Sequence, residues 1–346
     1  MRIVTEREKV LKIYERCAEA GVAVVAACCE STGELEGFLL AAQAYAQEHG
    51  IERIPINIGF TGVYPENAQL LKVSTGCRLS NGGNTLDGGD VVEGFEIMMG
   101  HLETYAALKG CFEAVDVLPF LDHGMPTDPV ESKEILGNPK RIERLAVVMF
   151  DASHFPFEEN VRRTAEYVKK FGECVVVEGA VDRIYEREEA RKAGITREEM
   201  LTTPERAADY LKRTGVDFIV PNLGTEHRVT SEEGYTKRYE KVRARKITEK
   251  VGRKQVLHGT SCLAREITTL ADDGIIKVNI YTRIAVESGV AVYSDLKANE
   301  KMVLKDRNLA INSPSYRNEI HRLAVAEVTR DYFDAFKYPR LAEAAK

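Results

Sequence analysis

Four short segments place an ionisable residue directly after an apolar run: Asp122 and His123 in FLDHG, Asp151 and His154 in MFDASH, His227 in PNLGTEH, and His258 in VLHGTS. If those runs are strands of one barrel, His123, His227 and His258 converge at its mouth. Three imidazoles with a fourth position left for water or substrate make a catalytic zinc set. A lone His at a strand end reads as readily as a hydrogen-bonded core residue. Three at equivalent positions, one beside an Asp, weaken that reading. A second group of residues suits an anion. His258-Gly259-Thr260-Ser261 follows a strand and opens a helical segment, which turns backbone N–H groups toward a phosphate. Asn279 and Thr282 follow the last strand, the other edge of the usual barrel phosphate site. An ordinary turn and N-cap would use the same residue types.

Such a constellation needs strands that end together. Nearly continuous apolar runs predict strands at Val22–Cys28, Ile54–Phe60, Val115–Leu121, Leu145–Phe150, Cys174–Val181, Phe218–Leu223, Gln255–His258 and Ile275–Ile280. Helical spacing fills the gaps, for example at Glu34–His49 and Glu158–Phe171, and Thr203-Pro204-Glu205 reads as a helix start. Eight strands alternating with helices predict an α/β fold, a (β/α)8 TIM barrel occupying residues 1–346 as one domain. Residues 1–20 would be an extra N-terminal helix and residues 290–346 a C-terminal helical extension. Two stretches exceed ordinary loop length, 61–90 and 182–203, and both follow a strand. They are candidate lids, or equally subunit contacts or solvated insertions.

Composition bounds the setting. The chain has 346 residues, 44% hydrophobic and 29% charged, with a net charge of -6 and no basic block. No nucleic-acid partner is expected, because phosphate neutralisation needs clustered Lys and Arg. No apolar run approaches a membrane span, and the charged N-terminus does not resemble a secretory signal. Seven Cys without a CxxC pair suggest free thiols in the cytoplasm.

MFDASHFPFEENV, together with FLDHG, LGTEH, VLHGTS and KVNIYT in that order, resembles the class II (zinc-dependent) fructose- and tagatose-bisphosphate aldolases. The likeness runs from about Val22 to Glu287. It implies one catalytic Zn2+ per chain held by His123, His227 and His258, and Asp122 as the acid exchanging a proton with the substrate hydroxyl. It implies Gly259, Ser261 and Thr282 as phosphate donors, and Asn279 and Thr61 as further substrate contacts. Asp151 matches a carboxylate that some members use at a second metal position. The group that reprotonates the enediolate would be a Glu on the loop after the fifth strand, where Glu186, Glu188 and Glu189 lie; Glu188 is the candidate taken. The implied activity is formation or cleavage of a C–C bond in a ketose phosphate, through the metal-stabilised enediolate of a dihydroxyacetone-phosphate-like unit, in a cytoplasmic homodimer or homotetramer.

Departures from the pattern bear on substrate. Phe120 stands where the family has a further His, Ala180 for a second Glu after Glu178, Tyr281 for an Asp, Arg228 for a Gly, Thr260 for a Gly, and Cys29 for an early Asn. The zinc set and the acid are retained while the substrate shell has changed, so a second metal site is not expected and a ketose other than fructose 1,6-bisphosphate is. Two other readings stay open. One is a metal-dependent retro-aldol lyase on an unphosphorylated hydroxyketone or hydroxy-keto acid, with Arg228 and Arg265 holding a carboxylate. The other is a non-catalytic sugar-phosphate-binding or partner-supporting relative.

Overall fold

The computed structural model describes residues 1–65, 67–80, 85–183, 194, 196–225, 239–263 and 268–343. Each apolar run predicted as a strand forms one. They are β1 (Val24–Cys28), β2 (Ile54–Thr61), β3 (Val115–Gly124), β4 (Val147–Phe150), β5 (Val176–Ala180), β6 (Phe218–Val220), β7 (Gln255–Leu257) and β8 (Ile275–Ile280). All pair in parallel with their neighbours, and β8 returns to β1, which closes a (β/α)8 barrel. Every residue of these strands is buried, which is why the sequence shows continuous apolar runs and no alternation. The β2–β3 register ends on Thr61 opposite Asp122, and the β8–β1 register sets Ile280 beside Ala27. The carboxyl ends of these strands are therefore level.

The helices are set by local signals. Ser31 caps Thr32–His49 by accepting from Glu34 N at 3.1 Å, and the helix stops at Gly50, whose φ of 65° an L side chain disfavours. Thr203 caps Pro204–Thr214 by accepting from Arg206 N. After β7 the described residues form only a 3-10 turn, Thr260–Cys262. The N-terminal helix Arg7–Glu19 buries Val10, Ile13, Tyr14 and Cys17, and the Tyr14 hydroxyl donates to Asn57 Oδ1 in β2 at 2.9 Å.

Beyond β8, helix Thr282–Ala298 runs through residue 290 and is followed by the long helix Pro314–Ala335. The latter meets Thr32–His49 so closely that a Cβ at Gly37 would lie 2.6 Å from Val325 Cγ1. The Tyr338 hydroxyl donates to Pro55 O at 2.9 Å and accepts from Val25 N at 2.8 Å, which ties the C-terminal segment to the lower ends of β1 and β2. The 61–90 stretch includes regular elements among its described residues. It holds a helical turn, Gln69–Val73, and an antiparallel pair of Arg78–Ser80 with Thr85–Asp87. Among the described residues no helix is long and apolar enough to cross a membrane.

One layer of the barrel interior is charged. Lys277 of β8 reaches Glu178 of β5 at 2.8 Å, both fully buried, and its ammonium lies 3.2 Å from the ring centroid of Phe120 in β3. Burial pushes the Glu178 carboxyl up and the Lys277 ammonium down, and each partner opposes the other's shift. Two of the six positions that depart from the family pattern are thus filled by interior packing: Phe120 covers the Lys277 ammonium, and Ala180 is buried at the end of β5.

Candidate active site

Strand β3 delivers Asp122 and His123, each 5% exposed. His123 has a φ of 48°, a left-handed conformation uncommon for a residue with a Cβ, held here among buried neighbours. Its Nδ1 lies 2.6 Å from Asp151 Oδ2 at the end of β4. Burial raises the Asp151 carboxyl, but the imidazole and the Ser153 hydroxyl outweigh burial and hold it well below the usual carboxylate range. An ionised Asp151 only accepts, so Nδ1 carries the proton and Nε2 is left as the basic atom. Asp151, which the sequence aligns with a second metal position, is hydrogen-bonded to His123. Tyr64 stacks on the imidazole, with centroids 4.2 Å apart and planes 14° from parallel. The turn carrying Tyr64 is braced by Glu131, whose Oε2 accepts from Val63 N at 3.2 Å. Burial pushes the Glu131 carboxyl up to about 8.

His258, at the end of β7, is 1% exposed and edge-on to His123 at a centroid distance of 5.0 Å. Its Nδ1 is 3.8 Å from Asp122 Oδ1. Donor atoms of Asp122, His123 and His258 all lie within 4.8 Å of one another, a spacing that one divalent ion can span. The two buried imidazoles, one oriented by a further carboxylate, are ligands that suit a divalent metal, with Asp122 beside them. Around them the strand ends are hydrogen-bonded to one another. Thr225 Oγ1 donates to His258 O at 2.7 Å, and Thr260 Oγ1 to Asn279 O at 2.6 Å. Asn279 Nδ2 donates to Asp122 Oδ1 at 3.0 Å, and the Cys28 thiol to Asp122 Oδ2 at 3.1 Å.

These groups open on a cleft of about 590 Å3, its solvent-filled mouth included, whose lining contains Cys28, Thr61, Asp122, His123, His258, Gly259, Ser261, Asn279 and Thr282. Gly259 has a φ of 66°, which turns the chain directly after His258, and Thr282 begins the helix Thr282–Ala298. The backbone of Gly259 and the helix start thus flank the same space as Asp122.

Sequence reasoning and geometry differ at three points. Strand alternation turns Cys28, not Cys29, into the cleft; the Cys29 thiol donates to Ser31 O. Thr61 lines the cleft, but its hydroxyl is engaged within its own loop, donating to Asn67 O and accepting from Gln69 N at 3.1 Å. Tyr64 was not among the expected residues; an aromatic in an irregular loop carries no periodic signal that would mark it. His227 and Glu188 lie outside the described residues, as do Arg228 and Arg265. His154 follows Asp151 and is exposed.

Comparison with known proteins agrees with this geometry. The model of the family Fructose-bisphosphate aldolase class-II matches residues 8–338. The Escherichia coli (strain K12) protein YdjI is 32% identical over 182 residues, 51% of this chain; the match spans 60% of YdjI. Among solved structures, the YdjI aldolase from Escherichia coli K12 superposes with a TM-score of 0.62 at 21% identity, covering 93% of this chain and 94% of that one. Fructose-bisphosphate aldolase (Fba) from Campylobacter jejuni superposes with a TM-score of 0.74 at 17% identity, covering 97% and 96%. At such identities the superpositions speak for the fold; the family match over nearly the whole length speaks for descent, and the chain belongs to the class II fructose-bisphosphate aldolase family.

Proposed function

We propose that the chain is a zinc-dependent aldolase that forms or cleaves a C–C bond next to the ketone of a ketose phosphate. The observation that carries this reading is the meeting in one cleft of Asp122, the His123–His258 pair and the Gly259–Ser261–Thr282 group. Zinc, when bound by His123 and His258 with His227 as the expected third ligand, supplies Lewis acidity toward the substrate ketone. Asp122 takes the proton from the hydroxyl on the far carbon of the bond that breaks, and returns it in the condensation direction. Gly259 and Ser261, with Thr282 at the start of a helix, bind the phosphate of a dihydroxyacetone-phosphate-like unit and set its distance from Asp122. Glu188 is the proposed group for proton return to carbon. Membership of the class II fructose-bisphosphate aldolase family supports this reading over the non-catalytic alternative. A homodimer or homotetramer in the cytoplasm belongs to the same proposal, and light scattering with cell fractionation checks it.

The test is an assay of the purified, zinc-loaded protein and its Asp122→Asn variant against a panel of ketose mono- and bisphosphates and unphosphorylated hydroxyketones. Cleavage of a phosphorylated ketose, lost by about 100-fold or more in the variant with zinc retained, is the expected result. Preference for an unphosphorylated hydroxy-keto acid would move the assignment to the alternative lyase. No turnover of any member of the panel would leave the non-catalytic reading.

A further inference from the structure

We propose that Cys28 is a positioning residue for the aldol step, its thiol and the Asn279 amide together fixing the rotation of the Asp122 carboxylate. This rests on the proposed role of Asp122. Each Asp122 oxygen has its own donor: Asn279 Nδ2 holds Oδ1 at 3.0 Å and Cys28 Sγ holds Oδ2 at 3.1 Å. With one donor removed, the carboxylate keeps a hinge on the other and can turn about χ2, a torsion that is soft in Asp.

The neighbouring strand packs directly against the thiol. Cys28 pairs in register with Gly59, and Gly59 with Phe120. A Cβ at Gly59 would lie 2.8 Å from Phe120 Cδ1, so glycine leaves that ring in place, and 3.6 Å from Cys28 Sγ, an ordinary contact distance. Cys28 is 4% exposed and still lines the cleft. A thiol is a weak donor. It orients Asp122 while drawing little electron density from it, which leaves the carboxylate able to accept the substrate proton.

The experiment compares zinc-loaded Cys28→Ala, Cys28→Ser and Cys29→Ala with the parent, measuring kcat, KM and zinc content, and adds a crystal structure of Cys28→Ala. Loss of one hydrogen bond to a charged group should lower kcat about tenfold in Cys28→Ala, with KM and zinc within about twofold of the parent. Cys28→Ser should recover most of the loss, and Cys29→Ala, whose thiol faces away, should behave as the parent. In the crystal, the Asp122 carboxylate of Cys28→Ala should be rotated or split between orientations. An unchanged Asp122 in that crystal overturns the proposal whatever the activity, and so does a Ser variant no better than Ala or a loss of zinc. Absence of aldolase turnover in the parent would instead count against the reading of the site, with the crystal still deciding whether the thiol positions Asp122.

Discussion

His123 and Asp151 share a buried hydrogen bond of 2.6 Å between Nδ1 and Oδ2, which leaves Nε2 as the nitrogen with a lone pair to give. Removing the charge but not the shape of the partner should weaken metal binding through the ring's basicity and orientation. Asp151→Asn should therefore lose about 10- to 100-fold in zinc affinity. Competition with a chelator measures this directly, and unchanged affinity would show that Asp151 does not act on the metal site.

The phosphate reading makes a substrate-specific prediction. A hydrogen bond to a charged group contributes about 1.5–3 kcal/mol, and about 1.4 kcal/mol is a factor of ten. Ser261→Ala should raise the KM of a ketose 1-phosphate by roughly tenfold or more and leave an unphosphorylated analogue nearly unaffected. Steady-state kinetics on the two substrates decide it; equal effects on both would place Ser261 outside the phosphate site.

The interior pair Lys277–Glu178 tests what the centre of the barrel tolerates. Both groups are fully buried, so deleting one leaves an uncompensated charge or an unsatisfied polar group. Lys277→Met alone should cost about 3–5 kcal/mol, and the double variant Lys277→Met/Glu178→Leu should recover a large part of that loss. Chemical denaturation of the single and double variants is the measurement. Additive losses would show that the two side chains act separately.

Stability should fall as pH rises toward 8. Burial lifts Glu131 to about 8 and Glu34 to about 7 from an ordinary value of 4.5. The folded state therefore keeps protons that the unfolded chain releases, so this contribution is complete below 4.5 and is lost as pH climbs through the folded values. Glu131→Gln keeps the shape without the ionisation. Denaturation midpoints at pH 5 and 8 should show a smaller decline in the variant than in the parent, and parallel declines would mean Glu131 ionises normally in the fold.

The barrel was legible because parallel strands buried on both faces leave runs such as Val115–Leu121 that no amphipathic helix imitates. Asp122, His123 and His258 were legible for the same reason: each ends such a run, and level strand ends bring them together. Side-chain direction was harder to read. Cys28 and Cys29 are chemically alike, and only the β1 register against Gly59 decides which one faces the cleft. Tyr64 reaches His123 from an irregular turn after β2, where neither a period of two nor one of 3.6 applies, and Glu131, first residue of the short helix Glu131–Leu136, braces that turn through Val63. Arg78–Ser80 and Thr85–Asp87 form their pair within a Gly- and Asn-rich stretch, which read as loop because composition there favours turns.

The hydrogen bonds that join Thr225 to His258, Thr260 to Asn279, and Asn279 and Cys28 to Asp122 link five strand ends to one another without calling on the outer parts of the loops. On the proposed reading, the groups that handle the proton are braced by the barrel itself, and the outer part of the insertion after β2 is free to vary around them. Substitutions in the outer pair Arg78–Ser80 and Thr85–Asp87 leave these hydrogen bonds untouched, whereas Tyr64, in the same insertion, is tied to His123. The same separation makes the scaffold a candidate for loop grafting, in which a new outer part of that insertion would redirect substrate choice on an unchanged ring of strand ends.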